Sequence, residues 1–219
     1  VTRRTQETDG SDHHGEPTVI IVDDDALVRS AMDSLFRSIG LRTLTFDSAQ
    51  TLFEHALPKG PSCLVMDVRL PRMNGLEIQA KLMERGDRAP IVFITGHGDI
   101  PMSVRAMKAG AIDFLAKPFR DQDIIDAVET ALDRDRKRLE DEDAIAAAAQ
   151  RQASLTPRER EVMERVVAGL MNKQIAADLG LSEITVKLHR GSMMRKMGVR
   201  TVADLVRLSE AIGRRGVPS

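Results

Sequence analysis

The chain has 219 residues, 42% of them hydrophobic and 30% charged, with a formal net charge of −1. That length suits two domains, and no apolar run approaches the ~18 residues of a membrane span, so the expected protein is soluble and cytoplasmic with no membrane partner. One cysteine, Cys63, excludes an intramolecular disulfide framework; a small core residue beside a strand is the expected reading. Charge is unevenly spread: residues 154–219 hold 12 Lys and Arg against 7 Asp and Glu, and residues 1–153 hold 20 against 26. An acidic first part and a basic last part suggest partners of opposite character.

Residues 1–16 are polar and aperiodic, which predicts a disordered tail. Its arginines precede no hydrophobic stretch, so it does not read as a secretory signal. His13 and His14 have no further Cys or His nearby and are not expected to bind metal.

From 17 to 135, five apolar runs alternate with amphipathic stretches. The runs are TVIIV (18–22), LRTLTF (41–46), SCLVM (62–66), PIVFI (90–94) and AIDFL (111–115). Helical spacing lies between them, as in Leu27, Ala31, Leu35 and Ile39. Strand-then-helix repeated five times predicts an α/β doubly wound domain on a five-stranded parallel sheet, whose strands are buried on both faces.

Ligands of such a sheet sit beyond the carboxyl ends of its strands. The first run ends in Asp23, Asp24 and Asp25, the third in Asp67 and the fourth in Thr95; Lys117 and Pro118 follow the fifth. The second ends in Asp47, which reads as a helix cap, and Asp25 reads as the cap of a helix starting near Ala26. Adjacent carboxylates repel, so a cation is expected among them. Carboxylates with a backbone carbonyl and water make a hard oxygen site suited to Mg²⁺, or Mn²⁺ in its place. A carboxylate can also attack phosphorus, and phosphoryl transfer spreads charge over three equatorial oxygens. The cation, the Thr95 hydroxyl and the Lys117 ammonium would take one each.

VDDD, LVMDVRLPRMNG, VFITGHGDIPM and DFLAKPF, in that order, resemble the receiver domain of a two-component response regulator of the NarL/FixJ class, nearest its FixJ branch. The resemblance implies a flavodoxin-like strand order and makes Asp67 the phospho-acceptor. It implies metal ligation by Asp24 directly, Asp23 through water, Asp67, and the backbone carbonyl of Arg69. Thr95 and Phe114 become the switch pair, Lys117 contacts the phosphoryl group, and the Lys117–Pro118 bond is expected to be cis.

Residues 133–153 carry dense mixed charge and then four alanines, with no Gly or Pro, so an exposed helix extending the preceding one is predicted, with 136–153 as linker. It could act as a semi-rigid spacer or as a short coiled-coil contact between two copies. The last part, 154–219, opens with a capping box of Thr156, Pro157 and Glu159, then the stripe Val162, Met163, Val166, Val167 and Leu170. Two further patterns, MNKQIAADL and SEITVKLHRGSMMRKM, have the outline of a helix-turn-helix in a small four-helix all-α domain. Asn172 is expected to cap the first helix, Gly180 to make the left-handed turn and Ser182 to cap the second.

On that second helix Val186, Met193 and Met197 must face inward, leaving Lys187, Leu188, Gly191 and Arg195 outward. An outward leucine between Lys187 and Arg190 suits a major groove, where apolar atoms meet thymine methyls. With Lys173, Thr185 and Arg190 these four make the expected DNA-contacting set. All six aromatics (Phe36, Phe46, Phe53, Phe93, Phe114, Phe119) precede the linker, so nothing in the basic part can stack unpaired bases, and double-stranded DNA is the expected partner. LTPREREV, NKQIAADL and TVKLHR resemble a LuxR-type DNA-binding domain over about 154–216; Gly191 stands where some relatives place a base-contacting lysine.

Together these residues predict a phosphorylation-activated transcriptional regulator rather than an enzyme with an external substrate. A cognate sensor histidine kinase would phosphorylate Asp67. Two copies would pair; the resemblance implies the fourth helix and fifth strand as the pairing surface, here near Met102 to Leu115, and the homodimer would bind promoter DNA and engage RNA polymerase. A phosphoaspartyl hydrolase would need a second catalytic Asp two residues after the nucleophile, where Arg69 stands. A regulator that never touches DNA is the remaining alternative.

Overall fold

The computed structural model describes residues 15–96 and 100–215. The expected tail, with His13 and His14, therefore lies outside the described residues except for its last two positions. Two compact units divide between Leu139 and Glu140.

In the first unit β1 (Thr18–Val22), β2 (Arg42–Phe46), β3 (Ser62–Asp67), β4 (Ile91–Thr95) and β5 (Asp113–Ala116) form one sheet in the order β2-β1-β3-β4-β5. Every pairing is parallel. β1, β3 and β4 are buried along their whole length, as strands covered on both faces must be. Alternate residues feed two cores. Val19, Ile21, Val65, Val92 and Ile94 pack with α1 (Ala26–Ser38) and the first part of α5 (Asp121–Ala153). Ile20, Val22, Leu64, Met66 and Phe93 pack with α2 (Ala49–Phe53), α3 (Gly75–Glu84) and α4 (Ile100–Lys108). Cys63 fills the first of these cores; burial pushes its thiol well above the usual range, the nearby Asp135 charge adding to it.

Two local expectations in this unit need correction. The buried stripe of α1 is Val28, Met32, Leu35 and Phe36, so the face through Leu27, Ala31 and Ile39 points outward, Leu27 with 81% exposure. Both sets satisfy a 3.6-residue period; the second wins because it places the larger Phe36 and Met32 on the sheet. Likewise Ser48, not Asp47, caps α2, its hydroxyl oxygen accepting from Thr51 N–H. Asp47 instead accepts from the Ser48 and Thr51 hydroxyls, which hold its carboxyl below the usual carboxylate range.

α5 is continuous over 33 residues, including the segment without Gly or Pro. Its apolar stripe, Ile124, Ala127, Val128, Ala131 and Leu132, is continued by buried Asp135. That carboxylate accepts from Ser62 N–H at 2.9 Å, where β3 begins, and from Arg138. A carboxylate interrupts the apolar face because the first N–H of a buried strand needs an acceptor.

The second unit holds α6 (Pro157–Val167), α7 (Asn172–Leu179), α8 (Glu183–Met197) and α9 (Val202–Arg215). Val162, Met163, Val166, Ile175, Val186, Met193, Met197 and Leu205 form its core. Thr156 and Glu159 make the predicted capping box on α6. Gly180 takes φ 65°, the left-handed turn between α7 and α8, and Ser182 caps α8 through Thr185 N–H. The cap of α7 differs: Met171 holds the N-cap position, with the Gln174 side chain accepting from Met171 N–H. Asn172 is the first residue inside the helix, freeing its side chain for another bond. Among the described residues no helix is long and apolar enough to cross a membrane.

Candidate functional site

The carboxyl ends of β1, β3, β4 and β5 bring Asp23, Asp24, Asp67, Thr95 and Lys117 to one edge of the sheet. Strand order makes β1 and β3 neighbours, so Asp23 and Asp67 face each other from residues 44 apart in sequence. The Lys117 ammonium lies between them, donating to Asp23 Oδ2 at 2.7 Å and to Asp67 Oδ2 at 2.8 Å. Asp23 is almost wholly enclosed, its side chain 1% exposed, whereas the Lys117 side chain is 23% exposed. Burial is the largest single influence on that ammonium and lowers its pKa, yet the two paired carboxylates together raise it above the ordinary lysine value. Lys117 is thus a cation throughout the neutral range. The Lys117–Pro118 peptide is cis.

Backbone amides take the other oxygens. Asp23 Oδ1 accepts from Asp25 N–H at 2.9 Å, and Asp67 Oδ1 from Arg69 N–H at 2.8 Å. Asp25 is the α1 cap, accepting from Leu27 N–H, as its position predicts. Asp23, Asp24 and Asp67 each offer one carboxylate oxygen, and these three atoms lie within 4.8 Å of one another. Three carboxylates against one ammonium leave an excess of negative charge, and an all-oxygen donor set of this kind fits a hard divalent cation. Thr95 is buried at the end of β4, and its carbonyl accepts from Lys117 N–H at 2.7 Å. Phe114 of β5 is half-buried, its ring 6.5 Å from that of Phe93.

In the second unit α8 turns Val186, Met193 and Met197 into the core and leaves Lys187, Leu188, Gly191 and Arg195 exposed. Leu188 is 70% exposed. Lys173 on α7 is also exposed, while Thr185 is half-buried with its hydroxyl bonded to that of Ser182. Arg190 is half-buried and donates to Asn172 Oδ1 at 2.8 Å, so it ties α8 to α7. A Cβ at Gly191 would meet nothing within 4 Å, so no neighbour within the protein demands a glycine there.

Residues 19–129 match the response regulator receiver domain, and residues 153–209 match the luxR family of bacterial regulatory proteins. Nodulation protein W of Bradyrhizobium diazoefficiens is 53% identical over 89% of this chain and 86% of its own length. The transcriptional regulatory protein FixJ of Azorhizobium caulinodans is 42% identical over 89% of this chain and 92% of its own. The solved structure of the response regulator StyR is 49% identical, covering 90% of this chain and 99% of that one, with a TM-score of 0.76. The chain is a response regulator of the NarL/FixJ class. It is a transcriptional regulator with a receiver domain and a LuxR-type DNA-binding domain.

Three residues of this regulator matter more than their sequence context displayed. Gly75 opens α3 directly beneath the acid cluster. A Cβ there would stand 2.7 Å from Phe93 Cε1 and 3.1 Å from the Asp67 carbonyl oxygen. The Asn-Gly pair in PRMNG was its only signal. Ile184, 72% exposed, shares the outward face of α8 with Leu188 one turn later, a spacing visible in the sequence. Glu159 does more than cap. It is buried and accepts from Lys196 and the Ser192 hydroxyl, both on α8, each at 2.7 Å. The bond from Lys196, then those from Ser192 and Thr156, pull its carboxyl down to about 2. Nothing local in the sequence pairs residues 159 and 196.

Proposed function

We propose that Asp67 accepts a phosphoryl group from a sensor histidine kinase and that this modification drives pairing and promoter binding. The observation that carries the reading is the Lys117 ammonium held between the Asp23 and Asp67 carboxylates at adjacent strand ends. A carboxylate oxygen of Asp67 attacks phosphorus of a phosphohistidine. The P–O bond forms as the P–N bond breaks, and the imidazole nitrogen leaves with the bonding pair. Lys117 already contacts Asp67 and neutralises a phosphoryl oxygen as charge develops. Asp23, Asp24, Asp67 and the Arg69 carbonyl would hold Mg²⁺ or Mn²⁺. When bound, that cation supplies further neutralisation of phosphoryl charge.

The Thr95 hydroxyl donates to a phosphoryl oxygen. Its strand neighbours in β5 are close: the register pairs Thr95 with Ala116 and Phe93 with Phe114. The switch-pair reading requires that movement of Thr95 reach the Phe114 ring, which lies two residues before Ala116 on the same neighbouring strand. Val104 and Met107 on α4 are both partly bared, which supports a homodimer through α4 and β5. The dimer then presents Lys187, Leu188, Gly191 and Arg195 to the major groove of promoter DNA, with Lys173 and Thr185 beside the phosphates, and engages RNA polymerase. Arg190 acts from its seat on Asn172.

The test is labelling by radioactive acetyl phosphate or a phosphorylated kinase. One label per chain, dependent on Mg²⁺ and lost in Asp67→Asn, is the expected outcome. Equal labelling in EDTA, or in Asp67→Asn, would overturn the assignment.

A further inference from the structure

At the opposite end of the sheet from the acid cluster, a cavity of about 620 Å³ opens at the amino ends of β4 and β5. That volume is in the range of small-molecule sites. Its wall includes Gln79 of α3, Ala109 after α4, and Arg134 and Arg138 of α5, with Arg88 at the approach to β4. Leu82, Ile91 and Ile112 supply apolar surface.

Gln79 is the unexplained group. It is 4% exposed, and its Nε2 donates to the Ala109 carbonyl at 2.9 Å. A carbonyl can only accept, so the orientation of the amide is fixed. Its Oε1 is then the one buried side-chain nitrogen or oxygen among the described residues with no hydrogen-bond partner in the protein. A buried acceptor without a donor costs free energy, and native proteins keep few of them. The charges point the same way. Asp135 and Asp87 in the wall are already paired, with Arg138 and Arg85 respectively. The guanidinium groups of Arg88 and Arg134 make no hydrogen bond or ion pair among the described residues, so the unmatched side-chain charge at this cavity is positive.

We propose that this cavity is an effector site for a small organic anion that carries its own hydrogen-bond donor, of the class of hydroxy-substituted aromatic carboxylates. The carboxylate meets Arg88 and Arg134, the ring covers Leu82 and Ile112, and the hydroxyl donates to Gln79 Oε1. An occupant joins the end of α4, through the Gln79–Ala109 bond, to the base of α5. The site is independent of the phosphoryl chemistry at the other edge.

The test is NMR titration of the full chain with 4-hydroxybenzoate, benzoate and sulfate as probes. The expected result is saturable shifts at the Gln79 side-chain amide and the Ile112 backbone, with 4-hydroxybenzoate binding about tenfold more tightly than benzoate. Gln79→Leu should abolish that preference while leaving benzoate binding in place. The exposed pair Arg88→Ala with Arg134→Ala should weaken both aromatic probes about tenfold or more without affecting folding. Absence of saturation up to ~10 mM would overturn the proposal. So would shifts that sulfate reproduces, equal affinity for the two aromatic probes, or binding unchanged in the arginine variant.

Discussion

Lys117→Met removes the cation from between two carboxylates while keeping an apolar stem of similar length, so it isolates the charge. Asp23 and Asp67 lose a partner at 2.7 and 2.8 Å, and Asp23 has almost no access to water. Removing one member of a buried ion pair costs ~3–5 kcal/mol; the partial exposure of Lys117 places this case near the lower end, at ~3 kcal/mol. For a domain of this size that is a fall of ~10 °C in melting temperature. The assay is urea denaturation of the full chain in EDTA, repeated in millimolar Mg²⁺. The variant should recover part of its loss when Mg²⁺ is added, and should be stabilised by the cation more than the parent is, because its carboxylates are the less neutralised. A loss below ~1 kcal/mol in EDTA would refute the premise that the ammonium offsets real repulsion. Equal stabilisation of both proteins by Mg²⁺ would refute the shared site.

Gly75→Ala should destabilise the receiver domain by ~1–3 kcal/mol through overpacking against Phe93 and the Asp67 carbonyl, and slow phosphoryl acceptance as that loop shifts; denaturation and labelling rates check both. Glu159 has a lowered pKa, so its contribution is fully present above its ordinary value of 4.5 and is lost as pH falls through about 2. The methyl signal of Met193, buried in the same core, should report that acid loss in the parent and a flatter profile in Glu159→Gln. On DNA, Leu188→Ala should weaken preference at a thymine-bearing position without altering the salt slope. Lys187→Ala should cost ~1–3 kcal/mol at one position if it reads a base, or lower the salt slope by about one charge if it meets phosphate; affinities at two salt concentrations distinguish them.

The acid cluster was legible because each of its members sits at the end of an apolar run. A parallel sheet converts that linear position into spatial convergence without any knowledge of side-chain packing. Where packing decides, the pattern alone was insufficient. Leu27 and Ile39 share a helical face as good in period as that of Met32 and Phe36, and only the volume needed on the sheet separates them. The cap of α7 moved one residue because Gln174 can reach back to Met171, an option that the preference of Asn for caps conceals. Arg190 looked like a groove residue, yet Asn172, released from capping, receives it. Glu159 with Lys196, and Asp135 with Ser62, are pairings between residues 37 and 73 apart in sequence. Their partners are set by the tertiary fold, and neither residue carries a local signal for them.

The order in which the site is assembled along the chain has its own consequence. The carboxylates come from β1 and β3, and the cation that offsets them follows β5. During synthesis the three acids therefore emerge well before residue 117, and a chain cut short in between holds repelling charge where the site should be. The capacity proposed for Asp67 arises only once the last strand has joined the sheet. On the proposed reading, a receiver cut short before residue 117 would lack the ammonium that neutralises phosphoryl charge, and would compete poorly with intact molecules for the same donor.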